Sequence, residues 1–298
     1  MKVSPIVLFV YNRYLHTRQT IDALLKNSES NQHDLIIFSD APQSLNENEA
    51  VIEVRSYLKT IKGFRSIKIY YRDINFGLAK SIVEGVTEVL KSYDSIIVLE
   101  DDIVTSPFFL NFMNNALARF EEDERVISIH GYVYPTKEKL PDVFFLKGAD
   151  CWGWATWKRG WQLFNVDGMA LLKELKSKNL IKEFDFNNSH VFSKMLKDQI
   201  KGKNNSWAVR WYASAFLAGK LTLYPGRSLV NNIGNDGSGR HCGESNKYDS
   251  DLSMKQVKFD DIKIEHSQEA FHAFEKFFIS AKTSPLIKLW CRIKKLFI

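Results

Sequence analysis

Three consecutive acids end an apolar run in this chain: Ser95-Ile96-Ile97-Val98-Leu99 leads into Glu100-Asp101-Asp102. Adjacent carboxylates repel one another and are poor strand formers. They are tolerable where a cation neutralises them, and hard oxygen donors of this kind suit Mg²⁺ or Mn²⁺, which in turn hold phosphates. Taken alone, three acids also read as a solvated charge run. Position decides between the two. In an open α/β sheet ligands sit beyond the carboxyl ends of the strands, and an apolar run that stops at acids ends there.

The elements that would carry such a site are legible around it. Short apolar runs at 6–10, 35–38, 67–71, 95–99 and 126–130 alternate with amphipathic segments. Thr17 is expected to cap a helix bearing Ile21, Leu24 and Leu25. Val51, Val54, Leu58 and Ile61 mark a second helix, and Ile82, Val86, Val89 and Leu90 a third. Ser106-Pro107 should open a fourth, with Ser as cap and Pro in the first position. Continuous apolar strands at a spacing of roughly 30 residues, alternating with helices, predict an α/β fold: a Rossmann-type, mostly parallel sheet with helices on both faces. After Gly131 the character changes. Residues 132–165 are aromatic-rich and include Trp152, Trp154, Trp157 and Trp161; 171–200 reads as polar helix, 207–217 as aromatic helix, and 228–243 as a Gly/Asn loop.

Composition narrows the class. Of 298 residues, 45% are hydrophobic and 26% charged, which excludes a disordered chain. The net charge of +6 is compatible with an acidic partner such as a nucleotide or an anionic lipid. Cys151, Cys242 and Cys291 are odd in number, far apart and form no C-x-x-C, which argues against a disulfide scaffold or zinc site and for a reducing compartment. The apolar run at 6–10 is too short for a signal peptide, and no stretch reaches the roughly 20 apolar residues of a membrane span. The expected location is cytoplasmic.

The order of elements carries a family resemblance. A strand followed by Asn12-Arg13, then Ser39-Asp40, Asn75-Phe76-Gly77-Leu78-Ala79-Lys80 and Glu100-Asp101-Asp102, resembles the GT-A-fold glycosyltransferases. Within them it is most similar to the N-acetylglucosaminyltransferase I group and bacterial polysaccharide glycosyltransferases, over residues 4–245. The resemblance implies a metal-dependent transfer of a hexosyl or N-acetylhexosaminyl group from a nucleotide-sugar donor to a glycan acceptor in surface-polysaccharide synthesis. Residues 1–135 would form the nucleotide-sugar-binding half, 136–245 the acceptor-binding half of the same domain, and 246–298 a helical tail. By that resemblance Asp102 ligates Mn²⁺ or Mg²⁺, with Glu100 and Asp101 orienting the ribose or metal-bound waters. Arg13 would meet the diphosphate, a guanidinium matching phosphate oxygens. Asp40 would read the base; uracil is favoured, although a guanine edge offers the same N–H. Gly77 would let backbone approach the nucleotide, and Lys80 would reach a phosphate. Residues 235–241 would close as a lid, with His241 on the metal and Arg240 on the diphosphate. The four-Trp segment would line the acceptor side, since sugar C–H faces stack on aromatic rings.

One departure from the family is visible. Where it carries an acid after a Trp at a late helix start, this chain has Ala208 in Ser206-Trp207-Ala208. An inverting transfer then needs another general base, with Asp150 first and Asp236 second; a retaining or weakly catalytic enzyme stays open. Arg210 could instead bind an acidic group on the acceptor. At the end of the chain, Leu286, Leu289, Trp290, Ile293, Leu296 and Phe297 form one helical face and Lys288, Arg292 and Lys295 another. Residues 271–298 hold six bases and one acid, a local charge of about +5, as expected of a helix lying on an anionic membrane surface at the inner face, where a lipid-linked acceptor would be met. The enzyme alternative is a nucleotidyltransferase, against which Tyr11-Asn12-Arg13 lacks a Gly-rich loop; the non-enzymatic one is a glycan- or membrane-binding module. A dinucleotide oxidoreductase lacks G-x-G-x-x-G after the first strand, and the concentration of basic excess in the tail argues against nucleic acid.

Overall fold

Strand residues that are apolar on both sides need cover on both sides, and each face of the sheet has it. The computed structural model describes residues 3–237, 246–258 and 262–282. In β1 (Ile6–Val10), Ile6, Leu8 and Val10 face a core shared with α1 (Tyr14–Leu24) and α2 (Asn48–Leu58). Val7 and Phe9 face the opposite core. β2 (Asp34–Ser39) and β3 (Ser66–Tyr71) continue the sheet in parallel, and α3 (Gly77–Val89) covers the Val7 face. β4 (Ser95–Glu100) pairs in parallel with the other side of β1. A short strand, β5 (Ile103–Thr105), separates it from α4 (Phe109–Arg119), which packs on the Ile6 face.

The rest of the sheet is β6 (Val126–His130), β7 (Val143–Lys147), β8 (Trp154–Trp157) and, after the helices, β9 (Leu221–Pro225). The eight strands run in the order β3-β2-β1-β4-β8-β6-β9-β7. β8 is antiparallel to both neighbours and β7 to β9, so six strands share one direction. The expected α/β class with a mostly parallel sheet and helices on both faces is the one observed.

The helices between β8 and β9 are α5 (Lys158–Trp161), α6 (Gly168–Ser177), α7 (Ile181–Phe184), α8 (Phe192–Ile200) and α9 (Trp207–Leu217). The single helical stretch expected over 171–200 is therefore three pieces. Asn179 and the run Phe186, Asn187, Asn188 take left-handed conformations that a continuous helix cannot contain. β10 (Val230–Asn232) pairs with β5 in a separate two-stranded sheet. Last comes α10 (Gln268–Ser280), capped by Ser267, which buries Phe271, Phe274, Phe277 and Phe278 in a third core with α9 and β7.

Two helix starts differ from expectation. Thr17 lies inside α1 and donates its hydroxyl back to the Arg13 carbonyl (2.9 Å). α4 begins at Phe109, because 103–105 pair as a strand and Ser106 accepts from the Phe108 N–H in the turn between. The amphipathic segment at 286–297 lies outside the described residues, and among those described no helix is long and apolar enough to cross a membrane.

Candidate functional site

Sheet order brings the first and fourth strands together at the point where the connections change direction, with β2 and β3 to one side of β1 and β4 to the other. A crevice at the carboxyl ends belongs there. Phe9 stands opposite Glu100 in the register, so Arg13 and the acid triplet emerge side by side. The Arg13 Nη2 donates to Asp101 Oδ1 and, at 2.7 Å, to Asp102 Oδ2. Thr20, fully buried on α1, donates to the Asp101 carbonyl at 2.8 Å and pins the turn. Arg13, expected at a diphosphate, thus lies on the acids, which need its charge because Asp101 is only 5% and Asp102 only 9% exposed.

The electrostatics follow. Desolvation opposes the Arg13 charge, but Asp101 and Asp102 more than offset it and hold the proton more firmly than usual. Desolvation, then the charges of Asp102 and Asp101, push the Glu100 carboxyl up to about 8. Desolvation raises Asp101 to about 6 against the pull of Arg13. The cluster therefore carries more acid than its one arginine neutralises, and Asp102 Oδ1 is buried with no hydrogen-bond partner. Among the described residues no three His, Cys, Asp or Glu side chains converge into a protein-only cage. A small hard cation does not require one, since one or two carboxylates with phosphate and water suffice. The partnerless Asp102 oxygen fits that use.

A strap crosses the acids. β10 pairs with β5, Ile233 donates its N–H to the Asp102 carbonyl (2.9 Å), and Asn232 accepts from the Gly234 N–H (2.8 Å). A Cβ at Gly234 would fall 2.2 Å from Asp102 Oδ2, so only glycine lets the backbone pass. Of the expected lid, Asn235 is buried and Asp236 and Gly237 are exposed. Asp236, the second base candidate, lies 3.1 Å from His16 Nε2. Arg240 and His241 fall outside the described residues.

Asp40, expected to read a base, turns inward. Its Oδ1 accepts from the Ala41 and Phe76 N–H groups and its Oδ2 from Gly77, each at 2.9 Å. It is 5% exposed and holds the second strand end against the start of α3. Gly77 enters that helix with φ +68°, which a side chain would resist, and open space lies where its Cβ would be. Lys80 is exposed, 3.7 Å from Glu84 and over the Phe76 ring. Arg55, which sequence reasoning did not single out, donates to the Ser39, Asp40 and Arg72 carbonyls and ties three chain segments together. An arginine on an amphipathic helix gives no sign of such a role in sequence.

On the other side of the acids lies Asp150. Its Oδ1 accepts from the Cys151 N–H (2.9 Å) and its Oδ2 is 3.8 Å from His130 Nδ1; its side chain is 28% exposed. The Cys151 thiol is pushed well up by desolvation and then by Asp150, Glu100 and Asp102, so both acid groups share one neighbourhood. Of the four tryptophans expected on the acceptor side, Trp154, Trp157 and Trp161 are buried. Trp154 and Trp161 pack with Trp207 and Trp211 behind the sheet. Only Trp152 is half-exposed, edge-on to Tyr132 and Tyr248. Trp154 and Trp157 point to opposite faces of β8, each covered by a core, and Trp161 on α5 joins the Trp154 core. Ala208 packs on that core, and Arg210 donates to the Ser206 and Val166 carbonyls.

No protein-family model matches this chain, and no curated protein sequence does. Solved structures are similar at low level. S. aureus TarS matches with a TM-score of 0.35 and 12% identity, over 57% of this chain and 29% of TarS. The mannosyltransferase PcManGT from Pyrobaculum calidifontis, in complex with GDP-Man and Mn²⁺, matches with a TM-score of 0.39 and 9% identity, over 72% of this chain and 68% of that one. A UDP-glucose pyrophosphorylase complexed with UDP-glucose gives 0.36 and 11%, over 74% and 90%. The match thus spans under a third of TarS. Likeness at this level says nothing of activity or ligand, so function rests on the site itself.

Proposed function

We propose that this chain is a metal-dependent glycosyltransferase that moves a sugar from a nucleotide-sugar donor to a glycan acceptor. The observation that carries the reading is the acid triplet at the carboxyl end of β4, at the switch point of the sheet, with one buried Asp102 oxygen free of any partner. A cation held by Asp102 Oδ1, Mn²⁺ or Mg²⁺, would neutralise the diphosphate and ease its departure as a leaving group. Glu100 and Asp101 stand beside it for ribose or water, and Arg13 keeps the carboxylates in place until substrate charge arrives.

Asp150 is the base in this reading. The acceptor oxygen attacks the donor C1 while the C1–phosphate oxygen bond breaks. The nucleoside diphosphate leaves with the bonding electrons, and the acceptor proton goes to the Asp150 carboxylate. Asp150 is favoured over Asp236 because it is held by the Cys151 N–H and lies close to the acid triplet through Cys151, whereas the Asp236 side chain is nearly half exposed. Trp152 offers a ring face to the acceptor sugar. The donor is UDP-linked by the resemblance above, though Asp40 spends its oxygens on backbone, so base selection falls to other groups. The bacterial polysaccharide setting, a lipid-linked acceptor and attachment to an anionic membrane through 286–297 complete the proposal.

The test is a thermal-shift screen of nucleotide sugars with and without Mn²⁺. Ligand at 100 times its Kd stabilises the fold by about 2.7 kcal/mol. The expected outcome is a shift for one nucleotide sugar that needs Mn²⁺ and disappears in Asp102→Asn. No shift with any nucleotide sugar, or a shift indifferent to metal, rejects the reading.

A further inference from the structure

We propose that His130 is the positioning residue for Asp150, holding that carboxylate through the imidazole Nδ1–H in the orientation that receives the acceptor proton. The inference rests on the transferase reading above. His130 ends β6, is fully buried, and was not marked by any motif. Its Nε2 accepts the Trp152 N–H at 3.0 Å. A ring nitrogen that accepts a backbone N–H carries no proton, so the neutral ring is the Nδ1–H tautomer. Burial lowers its proton affinity and supports that neutral form.

Nδ1 is then a buried donor, and it has no hydrogen-bond partner. Such groups are rare because losing water without a replacement is costly. Two acceptors face it: the Tyr132 backbone carbonyl, which favours a proton on the ring but lies outside full hydrogen-bond geometry, and Asp150 Oδ2 at 3.8 Å, the one carboxylate there. The ring is held by the Trp152 N–H and flanked by aromatic neighbours. Tyr224 lies edge-on at 5.0 Å and Tyr132 at 6.2 Å. The Gly131 N–H donates to the Gly153 carbonyl at 2.7 Å and ties the strand end to the Asp150 loop. Asp150 is thus bracketed, with the Cys151 N–H on one oxygen and the imidazole Nδ1 3.8 Å from the other. His130 itself is no base, since its accepting nitrogen is in use and it has no solvent or substrate access. A movement of about 1 Å by the part-exposed carboxylate completes the bond, given an ordinary hydrogen-bond length.

The pair is tested on the full chain by two independent measurements. Long-range ¹H–¹⁵N spectra of ¹⁵N-histidine-labelled protein should show His130 as the neutral Nδ1–H tautomer, with its Nδ1 resonance displaced in Asp150→Asn. The Nε2–H tautomer, or a resonance indifferent to Asp150→Asn, overturns the proposal. Kinetics then separate positioning from packing. His130→Asn keeps a donor near Nδ1, and His130→Gln keeps an acceptor near Nε2 for Trp152. Loss of an outer partner costs about 10- to 100-fold, so His130→Gln should lose that much kcat at unchanged donor KM, with His130→Asn recovering most of it. The reverse order means that the ring only holds the Trp152 turn, and the proposal fails. A parent chain that transfers no sugar from any donor rejects the transferase reading instead, and the catalytic purpose of the pair with it; an active parent with the wrong tautomer rejects the pair alone.

Discussion

The two acid groups of the site are held in opposite ways. Glu100, Asp101 and Asp102 are compensated in part by charge: one guanidinium bridges two of them, and desolvation with mutual repulsion pushes Glu100 and Asp101 toward protonation. Asp150 is supported by neutral donors, a backbone N–H at one oxygen and an uncharged imidazole facing the other, and its side chain reaches solvent. Charge compensation suits a group that must exchange one cationic partner for another. Neutral donors suit a carboxylate that must keep its charge and accept a proton. The first group is also part of the fold, whereas the second is set on a loop beside it.

Substitutions should separate the two. Asp102→Asn keeps the Arg13 hydrogen bond and removes a repelling charge, so melting temperature should hold while transfer, followed with radiolabelled donor, falls by at least ~1000-fold if the cation and its charge stabilisation are lost. Asp150→Asn should likewise spare the fold and cost ~100- to 10,000-fold in kcat, the usual worth of a general base, with nucleotide affinity by calorimetry intact. Full turnover in either variant assigns that acid elsewhere.

Arg13→Met should strike the fold instead. Removing one partner of a buried ion pair costs about 3–5 kcal/mol, and urea unfolding should find such a loss near pH 8. At pH 5 the loss should be smaller, since the acids can take up protons. The parent chain sharpens this. Asp101 and Glu100 hold protons up to about pH 6 and about pH 8, above their ordinary carboxylate values. Between about pH 7 and pH 8, above the ordinary histidine value, the folded Glu100 carboxyl still binds a proton that the unfolded chain has lost. At lower pH His33, His130, His190 and His266, whose proton affinity burial lowers, act in the opposite sense. Metal-free stability should therefore decline as the pH rises through the upper window, and Mn²⁺ should flatten the decline. A stability that rises over that range contradicts the burial of the triplet.

Asp40→Ala removes an acceptor shared by three backbone donors and should cost about 1–3 kcal/mol of stability, with nucleotide affinity following only as α3 loosens. Unchanged stability with weakened nucleotide binding returns Asp40 to base reading. Lys80→Ala should move stability by less than about 0.5 kcal/mol, since its ion pair is exposed, and donor affinity decides whether the lysine meets a phosphate at all.

Much of this is legible in the sequence. Apolar runs of strand length and helices with 3.6-residue spacing determined the layers, because each pattern can bury its apolar face in one way only. The triplet's place at a strand end followed from the same pattern. Contacts between distant segments were not legible. Nothing local says that Arg13 turns back onto Asp101 and Asp102, that Asp40 spends its oxygens on Phe76 and Gly77, or that three of four clustered tryptophans point inward while Trp152 does not. His130 reads as one more residue of an apolar strand. Its meaning depends on Trp152 occupying one ring nitrogen and Asp150 facing the other, 20 or more positions along the chain. Residue type and period are properties of the chain; the partner of each polar atom is a property of the packed sheet, which alone decides which groups leave water together.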